Sequence, residues 1–138
     1  MLPVVSSLIN IEMLRDGGSL AASFKSDRGR EYTLLLRIDI DKKEHRRLGY
    51  RDPVLIDCDP KLRPPNTDRV IYSSLCGPAV PVSWSEACEI TTAVSPLAIE
   101  LDSWQTVWLA QMVYVTTNDG RLPPDMDLEM PTKGLGNM

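Results

Sequence analysis

The sequence predicts an α+β domain: a mostly antiparallel sheet built on an N-terminal three-stranded meander over about residues 9–40, with one or two short helices packed on one face. Three observations predict it. Gly18 to Asp41 combines hairpin turn chemistry with strand alternation, and residues 9–14 alternate in phase with it. In the second half, Ser83-Trp84-Ser85-Glu86 and Asp102-Ser103-Trp104-Gln105 carry helix-start signals.

The hairpin comes first because its turn fixes its register. Ser26-Asp27-Arg28-Gly29 has the composition of a type I turn followed by a residue at positive φ, where glycine is wanted. With Ser26 facing Arg30, Phe24 faces Tyr32, Ala22 faces Leu34 and Leu20 faces Leu36, while Lys25 meets Glu31 on the other side. A slip of one residue would turn Phe24 and Leu20 away from Tyr32 and Leu36, so burial and turn chemistry demand the same pairing. Upstream, Asp16-Gly17 reads as a two-residue type I′ turn that sets Met13 opposite Leu20, Ile11 opposite Ala22 and Ile9 opposite Phe24. A short N-terminal helix on Val4, Val5, Leu8, Ile9 and Met13 is the competing reading, and residues 2–8 fit a helical turn.

From Asp41 to Pro53 the chain is too polar for burial and reads as a long exposed loop or arm. Val54 to Asp59 reads as a short strand stopped by Pro60, Lys61 to Arg69 as a turn-rich connection, and Val70 to Leu75 as a fifth strand. Pro78 and Pro81 forbid a central strand, leaving Ala79 to Val82 as a loop or sheet edge. Ser83 and Glu86 form a capping box for one to three helical turns, limited by β-branched Ile90, Thr91, Thr92 and Val94 and ended by Pro96. Leu97, Ile99 and Leu101 alternate as a strand would. Ser103 to Gln111 reads as a helix passing into a strand over Met112 to Thr117, and Asn118-Asp119-Gly120 as a turn. The expected division is one domain over residues 1–121 and a flexible tail over 122–138.

Composition places the chain among ordinary globular proteins, with 43% hydrophobic and 25% charged residues. Three cysteines outside any C-x-x-C pattern point to a reduced, cytoplasmic setting, and no leader or bilayer-length apolar run is read. The net charge of −4 hides an asymmetry: Lys25 to Arg51 holds nine Lys/Arg against five Asp/Glu, and Asp52 onward five against twelve. An acidic balance argues against nucleic acid and for a protein partner, one that is itself basic.

Catalytic patterns are sparse. His45 is the single histidine and sits among charges, and there is no G-x-S-x-G elbow, phosphate-cradling glycine loop or clustered zinc-ligand pattern. No cofactor is implied. The leading expectation is therefore a small non-enzymatic protein that binds another protein, as an inhibitor or immunity-type partner or an assembly subunit. Asp52, Asp57, Asp59 and Asp68 are its acidic contact cluster and Tyr72 its anchor. The alternative is a metal-dependent phosphodiesterase or nuclease with Asp39, Asp41, Asp57 and Asp59 as ligands and Lys42 or Lys43 on the phosphate, since i and i+2 in a strand share a side. The basic run Lys42, Lys43, Arg46, Arg47 and Arg51, with Tyr50 beside it, reads as a solvated loop or as a phosphate-tracking stretch. Trp84, Trp104 and Trp108 read as core, or as an interface anchor if one is exposed. Finally, Ala21, Leu35 and Leu14 form an apolar patch rimmed by charge on the outer face of the hairpin, which predicts a homodimer with Leu35 at its contact.

Overall fold

The computed structural model describes residues 2–58 and 77–124 of the 138. Strands β1 (Val5–Met13), β2 (Leu20–Ser26), β3 (Glu31–Leu36), β6 (Val54–Asp57) and β7 (Ala79–Pro81) form one antiparallel sheet in the order β1-β2-β3-β6-β7, and β4 (Ile38–Asp41) pairs with β5 (Arg46–Tyr50) in a separate ribbon. Helices α1 (Trp84–Val94) and α2 (Ser103–Thr117) cover one face of the main sheet. The architecture is the α+β meander with helices that the sequence predicts.

The central hairpin has the predicted register. Phe24 pairs with Tyr32, Ala22 with Leu34, Leu20 with Leu36 and Lys25 with Glu31. Gly29 closes the turn at φ 78, its N–H donating to Ser26 O. Leu20, Ala22, Phe24, Leu34 and Leu36 are fully buried and meet Ala87, Ile90 and Val94 of α1 and Leu109, Met112 and Val115 of α2. Burying one such large side chain contributes about 1.5–3 kcal/mol, so this two-layer contact dominates the favourable side of folding.

The first strand departs from expectation at one residue. Met13 and Ile11 pair with Leu20 and Ala22 as predicted, but Leu8 rather than Ile9 faces Phe24, because a bulge between Leu8 and Asn10 inserts Ile9 and shifts the alternation. The strand then continues to Val5, where a helical turn was expected. The β1–β2 connection is also not a type I′ turn. Gly17 and Gly18 carry the positive φ values, and the Asp16 carboxylate accepts from the Gly18 and Ser19 N–H groups and the Ser19 hydroxyl.

The largest departure is at 41–53. It is a hairpin packed onto the domain, not an exposed loop: Asp41 caps its turn by accepting from the Lys43 and Glu44 N–H groups, and His45 takes the left-handed position at φ 52. Arg47 and Tyr50 are buried. Their polar ends are satisfied by backbone, which composition does not reveal: Arg47 Nε donates to Gly17 O at 2.8 Å and the Tyr50 hydroxyl to Gly18 O at 2.7 Å. Ser19 Oγ accepts from Ile38 N at 2.9 Å, tying the ribbon's first strand to the same turn.

In the second half, β7 is the edge strand that its flanking prolines dictate. Ser83 and Glu86 close a capping box on α1, and the backbone N–H of Ser83 holds the exposed Glu86 carboxyl below its ordinary pKa. Three full turns form despite the β-branched residues, because Ile90, Thr91 and Val94 are the buried stripe. Leu97 to Leu101 is not a strand. Pro96 sits in a 3-10 turn, Ala98 and Ile99 donate to the nearby Ser95 and Leu97 carbonyls, and Ile99 projects into solvent. Nor does α2 pass into a strand at Met112. Leu109, Met112, Val115 and Thr116 form one buried face, and the Thr116 hydroxyl donates to Met112 O inside the helix. Asn118, Asp119 and Gly120 end α2 in the predicted turn, with Gly120 N–H bonded to Val115 O. The expected strand Val70–Leu75 and the connection Lys61–Arg69 lie outside the described residues.

Two measurements check this packing. Gly120 has φ 88, and an added Cβ would lie 2.6 Å from Trp84 Cζ2 and 2.8 Å from Tyr50 O. Gly120→Ala is therefore expected to lower stability by at least about 2 kcal/mol, combining left-handed strain with overpacking, read as a lower urea midpoint at unchanged slope. Burial pushes the Tyr50 phenol well above the ordinary tyrosine range, with Arg47 opposing and Asp16 assisting the shift. Below the unfolded-state value near 10 the phenol is neutral in both states and its contribution is complete. Above it the unfolded chain ionises first, so stability falls as pH rises. Tyr50→Phe is expected to cost about 1 kcal/mol near neutrality and to flatten this alkaline decline, as followed by urea titrations between neutral and strongly alkaline pH.

Candidate interaction surface

Helix α2 carries no charged side chain over its 15 residues, in a chain where 25% of residues are charged. Such a helix is normally buried all round, yet this one has only one side against the sheet. Asp102 caps its start through Gln105 N at 2.8 Å, and Gln105 reaches across to Asn10 Oδ1 and Ile11 O of β1. These contacts and the Thr91–Thr116 hydroxyl pair at 2.9 Å between the two helices fix its rotation. The opposite side is left to solvent: Val107, Ala110 and Tyr114 run along its middle, flanked by Trp104 and Val113. Trp104 is 66% exposed and stacks on half-buried Trp108 with ring centroids 6.5 Å apart. Exposed Ile99 precedes the helix, and Ile9, thrown outward by its bulge, lies beside Asn10.

The arrangement has the composition of an interface core, aromatic and aliphatic with charge absent. Trp104 is the tryptophan that lies exposed rather than in the core. Val107, Ala110, Val113 and Tyr114 escaped the sequence reading, because treating Met112–Thr117 as a strand split the face in two. The available signal was the uncharged run from Ser103 to Asn118.

The residues singled out from sequence are distributed differently. Asp52 is exposed, with its carbonyl accepting from Arg37. Asp57 is held by Arg30 through a two-pronged ion pair, Nη2 to Oδ2 at 2.6 Å and Nε to Oδ2 at 3.1 Å. Asp59, Asp68 and Tyr72 lie outside the described residues. Of the alternative metal ligands, Asp39 is exposed on β4, Asp41 serves the turn and Asp57 belongs to the other sheet. Among the described residues no group of three or more His, Cys, Asp or Glu side chains is placed to hold a metal ion. His45 is exposed in the ribbon turn.

The patch expected around Leu35 is not an open surface. Ala21, its cross-strand partner, is buried, Leu35 is half-buried, and Ser23, Thr33, Ile56 and Cys58 on the same side are buried within the single chain. The tryptophan-bearing helices lie on the other face. Ser23 and Thr33 satisfy one another at 2.8 Å, and Thr33 also meets Cys58 Sγ at 3.4 Å.

No described helix is long and apolar enough to cross a membrane. Comparison with known proteins returns no match: no protein-family model, no curated protein and no solved structure aligns with this chain.

Proposed function

We propose that this protein is a non-enzymatic assembly subunit that works by protein–protein binding, and that the outer face of α2 docks against the same face of a second copy. The observation that carries the reading is the uncharged, partly aromatic outer face of α2. A chain of net charge −4 repels its own copies over most of its surface, and this face removes that repulsion where contact would be made.

The layout also suits two-fold symmetry. Ala110 is the midpoint of Ser103–Thr117 and is exposed, so two helices can approach closely there. An antiparallel pairing about Ala110 sets Val107 against Val113 and Ser103 against Thr117 of the second copy, each contact occurring twice as an isologous interface requires. A helix of this length is about 22 Å long, and its face alone is smaller than an obligate interface. The dimer is therefore concentration-dependent. The reduced, cytoplasmic setting belongs to the same proposal, supported by Cys88 being a free thiol.

Light scattering and sedimentation across micromolar concentrations test the reading. Wild type is expected to pass from monomer to dimer, and Ala110→Lys, which brings a charge against its own copy at the symmetry axis, to weaken the dimer at least about 100-fold with unchanged circular dichroism. Leu35→Asp separates the two faces: a folded Leu35→Asp variant that dimerises normally supports α2 as the contact. A wild type that stays monomeric, or an Ala110→Lys variant that dimerises as wild type does, overturns the proposal.

A further inference from the structure

Strand β1 is an edge of the main sheet, and its sequence does little to guard that edge. The opposite edge, β7, is three residues long, follows Pro78 and holds Pro81, which blunt it. β1 runs for nine residues, and from Leu2 to Ile11 the chain holds no charged side chain. Among the described residues no strand lies on the outer side of β1, and Ser6, Ser7, Ile9 and Asn10 are exposed. A long, neutral, open edge is a template for a further strand.

The register shows which backbone groups this edge presents. Ser26 N–H donates to Arg30 O, so Ser26 and, at two-residue intervals, Phe24, Ala22 and Leu20 turn their main-chain groups toward β3. Their partners on β1, Val5, Leu8, Ile11 and Met13, therefore direct N–H and C=O away from β2. Two bonds agree with this: Leu14 N–H reaches Ser19 O through the alternate set of pairs, and the Gln105 amide donates to Ile11 O at 3.2 Å from outside the sheet. The bulges absorb Ser6 and Ile9, setting Ser6-Ser7 opposite Lys25 and Ile9-Asn10 opposite Ser23, so the four outward residues keep the even spacing of an ordinary strand.

We propose that the outer edge of β1 pairs antiparallel with the β1 edge of a second copy, extending the sheet across a two-fold axis between Leu8 and Ile11. The pairing sets Leu8 against Ile11 and Val5 against Met13 of the second copy, each pair occurring twice. Ile9, 40% exposed, meets its own counterpart at the axis. Glu12, the one charged residue of β1, falls opposite the Ser6-Ser7 bulge of the second copy and not opposite its own counterpart. Two chains of net charge −4 therefore meet here without like charges facing one another along the strands. The contact rests on main-chain hydrogen bonds of one strand and is smaller than a standard interface, so it forms at higher concentration than the α2 pairing. It is a different surface from the outer face of α2 and stands whether or not that face pairs.

Sedimentation equilibrium of the full-length Ala110→Lys chain, in which α2 pairing is weakened, tests this up to about 1 mM. A dimer is expected at the top of the range, with hydrogen exchange at the Val5, Leu8 and Met13 amides slowed severalfold relative to the monomer. Adding Ile9→Lys, which brings like charges together at the axis on a side chain already exposed, is expected to weaken this dimer about tenfold or more with unchanged circular dichroism. Adding Arg28→Gln in the β2–β3 turn instead is expected to leave it unchanged. An Ala110→Lys chain that stays monomeric at about 1 mM, an Ile9→Lys change without effect, or amides protected equally in the monomer overturns the proposal. None of these results bears on the α2 pairing, which is judged on the wild type at micromolar concentration.

Discussion

Two backbone carbonyls in the β1–β2 turn organise the molecule. Gly17 O and Gly18 O face inward at the end of the main sheet, where unsatisfied carbonyls would cost stability, and the buried ends of Arg47 and Tyr50 satisfy them. Through these bonds the β4–β5 ribbon is locked to a turn some thirty residues earlier. Tyr50 also donates its N–H to Gly120 O, so the same residue anchors the end of α2. Sheet, ribbon and helix layer meet at one side chain and its backbone, and Trp84 of α1 packs against Gly120 at the same junction.

This junction also positions the outer face of α2. Fixing the C-terminal end of α2 there, and its N-terminal end through Gln105 on β1, sets the rotation of the helix. Leu109, Met112 and Val115 then go inward and Val107, Ala110 and Tyr114 outward. The uncharged outer face of the helix is thus a consequence of this packing.

The acidic residues play quieter roles than their number suggests. Asp16 and Asp41 accept hydrogen bonds that hold turns, Asp102 and Glu86 complete capping boxes, and Asp57 neutralises Arg30 at the end of β6. Short carboxylate side chains at turns and helix starts compete well for backbone N–H groups. Of the closely spaced aspartates, Asp41 holds a turn and Asp57 an ion pair.

The sequence by itself determined whatever depends on contacts between near neighbours. The β2–β3 register follows from Gly29 and the Phe24, Ala22 and Leu20 alternation, both helix starts from their capping boxes, the end of α2 from Asn118-Asp119-Gly120, and the edge placement of β7 from Pro78 and Pro81. Only the tertiary structure decided the bulge at Ile9, since Ile9 and Leu8 are equally apolar and the choice rests on which one fits against Phe24. It also decided the ribbon at 41–50, whose polar composition conceals that Arg47 and Tyr50 find carbonyl partners in another turn. The helical state of Met112–Thr117 was settled the same way, because burial of Met112 and Val115 against the sheet outweighs β-branched propensity. The outer face of α2 was not legible in sequence, because it is defined only by the side the helix buries. Local hydrogen bonds and steric rules are written in short windows of sequence, whereas which face is covered, and which charges meet, is fixed by contacts between distant segments.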